Sequence, residues 1–110
     1  MTIAAGRLRH RVTIEALAQT RDAIGGLVDA WAPVAEVWGE VYPLSGREFV
    51  AAQAVQAGVT TRITIRHRAG IVPAMRVRHG SAIYNIKAVL PDPTVAGHIT
   101  LMCETGVNDG

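Results

Sequence analysis

The chain has 110 residues, which is room for one domain and excludes most multidomain enzymes. With 49% hydrophobic and 18% charged residues it is too apolar and too lightly charged to be disordered. Because the net charge is only +2, the charge balance alone does not indicate a nucleic-acid-binding protein. Every basic residue except Lys87 is an arginine.

Large core-forming side chains are scarce. Many of the apolar residues are alanines, and aromatic residues make up only 5% of the chain. Small side chains bury little apolar surface per position. We therefore expect an isolated monomer to be marginally stable and to gain stability from copies of itself or from partners.

The first predicted strand begins at Leu8. Val12 and Ile14 lie on one face of this strand, and Arg9 and Arg11 lie on the other. Residues 19–26 are polar and end in two glycines, which predicts a long hairpin loop. A short strand over residues 27–31 follows, then a break at Pro33 and a second piece over residues 34–42.

Trp38 lies on the side of this second piece that carries two glutamates. Either a bulge turns the indole into the core, or Trp38 forms an exposed aromatic patch that awaits a neighbour.

Residues 45–48 have the S-x-x-E spacing of a capping box, and residues 49–57 are strong helix formers ahead of Gly58 at the C′ position. The pattern predicts one helix of about three turns with a weak apolar face. Such a helix fits a sheet edge, or packing against its own copies in a ring.

The second half of the chain again alternates. Residues 59–68 predict a ten-residue strand of about 33 Å, long enough to cross a barrel or project beyond it. A hairpin through Gly80 and Ser81, a last strand with Ile99, Leu101 and Cys103 inward, and a flexible tail over residues 105–110 complete the pattern. The expected fold is mainly β: a small antiparallel barrel of about six strands, with one short helix inserted between central strands, in a single domain over residues 1–110.

Chemistry-bearing residues give no catalytic or cofactor pattern. The four histidines lack metal-ligand spacing, and the lone Cys103 excludes an internal disulfide and fits a core position in a reducing compartment. A helix cap and a hairpin turn account for the two serines. We expect no enzyme activity, no cofactor, no metal and, without any stretch of about 20 apolar residues, no membrane partner.

Arginine is the informative residue type. It falls on three predicted strand faces: Arg7, Arg9 and Arg11; Arg62, Arg66 and Arg68; Arg76 and Arg78. These faces are either solvated, with cross-strand partners such as Glu15, or they contact an acidic partner protein or DNA phosphates.

The order of features resembles the head-tail joining family of tailed bacteriophages. The resemblance runs from residue 6 to residue 104, through residues 6–14, residues 22–26, Trp31, residues 37–38, residues 43–48, residues 61–68, residues 70–71, residues 75–77 and residues 84–86.

The resemblance implies a structural ring protein of the virion, a stopper or head completion protein of a phage or gene transfer agent, assembled in the host cytoplasm. Its expected partners are its own copies in a dodecamer, the portal and adaptor, the tail, and double-stranded DNA in the channel. Residues 44–58 would face that channel, with Ser45, Arg47, Glu48, Phe49, Gln53 and Gln56 as candidates. Candidate interface residues are Arg9, Arg11, Trp38, Arg62, Arg66 and Arg68. The alternative is a small β-barrel nucleic-acid-binding module that uses the arginine strands.

Overall fold

The computed structural model describes residues 9–91 and 96–106. Its elements in chain order are β1 (His10–Arg21), β2 (Leu27–Pro43), α1 (Gly46–Val55), β3 (Thr61–Arg66), β4 (Arg76–His79), β5 (Ala82–Pro91) and β6 (His98–Thr105). The strands close into an antiparallel barrel in the order β1-β2-β3-β6-β5-β4, and α1 lies between β2 and β3. The expected mainly β fold, with about six strands and one inserted short helix, is confirmed.

The barrel interior is filled by aliphatic side chains from alternate positions of the strands. Val12 and Ile14 of β1 meet Ile63 and Ile65 of β3, and all four are at most 1% exposed. Cys103 of β6 belongs to the same cluster, as predicted. Fully burying each Val or Ile stabilises the fold by about 1.5–3 kcal/mol, which is a large contribution for a small domain.

Strands β1 and β2 extend well beyond the barrel. β1 pairs with β4 only over residues 13–15, and β2 pairs with β3 only over residues 39–43. Over residues 16–21 and 27–32 these two strands pair only with each other. Residues 16–33 therefore form a two-stranded arm, which gives the molecule its 53 Å long axis.

The break predicted at Pro33 is wrong, because β2 is continuous. The register places Ile14 opposite Ala35 and Glu15 opposite Pro33, which leaves Val34 as an extra residue. A β-bulge at this point accommodates Pro33, whose backbone has no N–H to donate to the strand ladder.

The long loop predicted from residue 19 is also wrong, since β1 runs to Arg21. The Asp22 carboxylate accepts hydrogen bonds from the backbone N–H groups of Ile24 (3.0 Å) and Gly26 (2.8 Å), and Gly25 has φ +86°. These contacts close a tight turn at the end of the arm.

Three other boundaries differ from expectation. The ten-residue strand over residues 59–68 is the six-residue β3, so the length of the molecule comes from the arm instead. Gln56 is the C-cap of α1, which puts Gly58 (φ +90°) one position beyond C′. In the predicted tail, Thr105 is the last residue of β6 and Gly106 donates a backbone hydrogen bond to Ile83; residues 107–110 lie outside the described part, as do Arg7 and Leu8.

The arm and α1 lie at opposite ends of the barrel. β2 leaves the arm, crosses the barrel wall and ends at Pro43, directly before the helix. β3 then begins beside Pro43. β2 thus connects the arm with α1, the two elements that extend outside the barrel.

Candidate assembly surface

A buried ion pair fixes the root of the arm. The Arg76 Nε atom donates a hydrogen bond of 2.7 Å to Glu15 Oε1, and Arg76 is only 3% exposed. The Trp31 ring lies 4.2 Å from the guanidinium carbon and covers it. The expectation that Arg76 lies on an outward strand face, solvated or bound to a partner, is wrong because Trp31 folds over it. Pairing of Glu15 with an arginine is confirmed.

Glu15, Arg76 and Trp31 together form what we call the clamp. Beyond the clamp, the arm exposes apolar side chains. Leu17 is 53% exposed, Leu27 62% and Ile24, in the turn, 92%. The register places Asp29 between Trp31 and Leu27 on one side of the ribbon. A two-stranded ribbon has no second layer to cover it, so this surface is available for a partner.

The outer wall of the barrel carries an exposed tryptophan. Trp38 of β2 is 53% exposed and lies opposite Arg11 of β1. The Arg11 guanidinium lies 5.2 Å from the Trp38 ring and forms a 3.0 Å ion pair with Glu36. Of the two alternatives, burial of the Trp38 indole by a bulge is therefore wrong, and the structure has the other, an exposed aromatic patch.

A second arginine–aromatic pair lies on the same wall. Arg62 of β3 is 4.6 Å from the Tyr42 ring and 3.8 Å from the Glu48 carboxylate. The pairing of Gly39 with Ile65 puts Arg66 in the same outward-facing row as Trp38. We call Arg11, Trp38, Tyr42, Arg62 and Arg66 the Trp38 patch.

Arg66, a member of this patch, is followed two residues later by Arg68, just beyond the end of β3. Arg66 and Arg68 are exposed and, within residues 9–91 and 96–106, have no ion-pair or hydrogen-bond partner. Arg9 lies just before β1 and is engaged in an interaction. Tryptophan, tyrosine and arginine are the residues that most often carry binding energy at protein interfaces. The structure thus brings Arg11, Trp38, Arg62 and Arg66 onto one wall.

The predicted insertion divides into engaged and exposed side chains. The Glu48 carboxylate accepts hydrogen bonds from the Ser45 hydroxyl (2.8 Å) and backbone N–H (3.3 Å), and these bonds lower the pKa of Glu48. The Gln53 amide donates to the Val59 carbonyl (2.7 Å) and accepts from the Gly58 N–H (2.8 Å). The Glu48 carboxylate thus fixes the start of α1, and the Gln53 amide fixes the segment that follows its end.

The other three candidates of the insertion, Arg47, Phe49 and Gln56, are exposed. Phe49 is 39% exposed and its neighbour Val50 68%. The outward surface of α1 is therefore partly apolar.

The described residues offer few side chains that could bind a metal or act as a nucleophile. No group of three or more His, Cys, Asp or Glu side chains lies close enough to hold a metal among the described residues. Burial raises the pKa of the Cys103 thiol to about 12, so it is not a nucleophile at neutral pH. In the same part of the chain, no helix is long and apolar enough to span a membrane.

Sequence reasoning missed the arm, the Arg76 clamp and Asp29. Alternating small and large residues after Ile14 were a signal for a longer strand. The contact between Glu15 and Arg76 joins residues 61 positions apart, so no local pattern could have shown it.

Three comparisons agree with this architecture. The sequence profile of the phage head completion protein family matches residues 3–106. The head completion protein gp7 of Enterobacteria phage HK97 is 31% identical over 106 residues, which cover 92% of this chain and 95% of that protein.

Two solved structures have the same fold. A Shigella flexneri 2a protein solved in solution matches with a TM-score of 0.76 and 31% identity, over 97% of this chain and 100% of that one. A chain of the native gene transfer agent virion matches with a TM-score of 0.59 and 25% identity, over 92% and 97%. The match to nearly the whole chain, together with the barrel and its inserted helix, shows that this chain belongs to the phage head completion protein family.

Proposed function

We propose that this chain is a structural ring component of the head-tail connector of a phage or gene transfer agent. In this role it joins the portal and adaptor to the tail and helps to retain packaged DNA. The observation that carries the proposal is the match to head completion proteins over nearly the whole chain. A chain of a gene transfer agent virion has the same fold, which supports a place in the particle.

The two-ended shape of the molecule supports this role. The arm leaves one end of the barrel and α1 the other. A connector must contact one set of proteins on the head side and another on the tail side. We propose a dodecameric ring in which each copy presents one end to each side.

Gene deletion in the parent particle tests the connector role. Particles without this chain should contain heads that lack attached tails or have lost their DNA, and the wild-type chain supplied separately should restore them. Complete, infectious particles without the chain would contradict the proposal.

We further propose that the exposed side of α1 faces the DNA channel. Deleting residues 47–56 should give particles that package DNA and then leak it. Because Gln53 closes the end of the insertion, the double substitution Arg47→Glu and Phe49→Ser is the gentler variant. Both side chains are exposed, so the barrel should be unaffected.

Nuclease sensitivity of the packaged DNA is the measurement. The matched control is Arg78→Glu, which changes an exposed arginine on β4 instead of one on α1. Full nuclease protection in the α1 variant, equal to that in the control, would exclude a channel role for this surface.

The nucleic-acid-binding alternative has less support. β1 and β4 are neighbours, yet Arg76 is engaged by Glu15, and Arg11 and Arg62 stack on aromatic rings. These three arginines are thus engaged within the chain, which leaves fewer arginines free to contact DNA phosphates.

A further inference from the structure

The arm carries an acidic, apolar surface without a partner. Asp29 is exposed and, within the described residues, forms no ion pair or hydrogen bond. The nearby Arg21 does not neutralise it, because its guanidinium donates to the Gly25 carbonyl at 2.8 Å. Leu27 and Leu17 lie on the same side of the ribbon as this carboxylate.

The barrel wall carries the complementary surface. Trp38 supplies an exposed aromatic ring, and Arg66 and Arg68 supply free positive charges. An apolar ribbon with one carboxylate and an aromatic wall with free guanidinium groups match in both hydrophobicity and charge.

The two surfaces cannot meet within one molecule. Asp29 and Trp38 lie on the same continuous strand, nine residues apart, a separation of about 30 Å at 3.3 Å per residue. The clamp of Glu15, Arg76 and Trp31 holds the root of the arm and prevents it from folding back. The complement of the arm must therefore come from another molecule.

We propose that the arm of one copy docks on the Trp38 patch of the next copy, with Asp29 paired to Arg66 or Arg68. This inference rests on the proposed ring. Because the contact joins two different surfaces of the same chain, it is heterologous, and repeating it around an axis closes a ring. The clamp orients the arm before assembly, which lowers the entropic cost of docking.

Charge reversal on each side separates this proposal from its alternatives. Asp29→Arg places like charges against Arg66 and Arg68, and the double substitution Arg66→Glu with Arg68→Glu places them against Asp29. Each variant alone, as the only source of the chain in the parent particle, should lower the yield of infectious particles at least about tenfold, the effect of about 1.4 kcal/mol.

Supplying both variants together should restore the yield to within about threefold of wild type. In a ring that alternates the two, one contact pairs the native Asp29 with the native arginines, and the next pairs the introduced arginine with the introduced glutamates. Every contact is then attractive. Arg78→Glu, which reverses an exposed arginine on β4 outside the Trp38 patch and outside α1, is the matched control and should leave the yield unchanged. Thermal unfolding of the purified variants should be unchanged, because Asp29, Arg66 and Arg68 have no partner among the described residues of their own chain.

Two outcomes would overturn the proposal. If each variant is defective and the pair does not restore the yield, the arm docks on a different protein. If neither variant is defective, the arm has no charged contact of this kind. Failure of the ring itself is distinguishable, because this chain would then be absent from purified particles whichever variant is supplied.

Discussion

At the scale of single residues, the Arg76–Glu15 pair has the largest expected effect on stability. Both groups are buried and lie 2.7 Å apart, so removing one leaves the other uncompensated. Arg76→Met should lower the free energy of unfolding by about 3–5 kcal/mol. The combined change Glu15→Gln and Arg76→Met should cost clearly less, because no buried charge remains.

Urea unfolding measures both variants, with Arg11→Ala as the control. Arg11 pairs with Glu36 at more than half exposure, and an exposed pair contributes at most about 1 kcal/mol. A similar loss in Arg76→Met and Arg11→Ala would mean that the clamp does not hold the arm root.

The Cys103 thiol makes the free energy of unfolding depend on pH, and the direction of its pKa shift determines the sign. Burial raises the pKa of its thiol from 9.0 to about 12 in the folded chain. Above pH 9.0 the unfolded chain therefore releases a proton that the folded chain keeps, and stability falls as the pH rises toward 12.

The wild type should lose free energy of unfolding relative to Cys103→Ala by up to about 1.4 kcal/mol per pH unit in this range. All other titrating groups are common to the two proteins. Denaturant unfolding of both proteins as a function of pH makes the measurement. A constant difference across the range would show that the thiol is not protected by the barrel.

At the scale of elements, the insertion depends on a glycine at its exit. Gly58 has φ +90°, and an added Cβ would lie 2.7 Å from the Glu104 carboxylate. Gly58→Ala should lower the free energy of unfolding by about 1–2 kcal/mol through backbone strain and displacement of that side chain.

Gly46→Ala is the matched control at the start of α1. An added Cβ there meets nothing within 4 Å, and its φ is not positive. It should be neutral or stabilise the fold by about 0.5 kcal/mol. Equal losses at the two positions would indicate that the exit geometry of the insertion is not constrained.

The elements also show how far local patterns determine the fold. Alternation located the hairpin of β4 and β5 and the strand β6, and the capping box located the start of α1, since each depends on neighbours in sequence. The continuity of β2 depends on the bulge at Val34, which only the pairing with β1 creates. Exposure of Trp38 likewise depends on which strands lie beside it, and the sequence could state only the two alternatives.

At the scale of the whole molecule, a small barrel of aliphatic residues carries two features that do not contribute to its core. The arm and the outward surface of α1 expose apolar side chains at opposite ends. A monomer of this kind leaves part of its apolar surface in water and gains stability when copies and partners cover it. The scarcity of large core residues in the sequence is consistent with a subunit that is completed by assembly.

Cryo-electron microscopy of the head-tail junction in the intact particle tests the central claim most directly. We expect a ring of these barrels at the connector, with the arm of each copy against the Trp38 patch of its neighbour and α1 toward the channel. A connector map of the same particle that contains no ring of this barrel would contradict the proposed role.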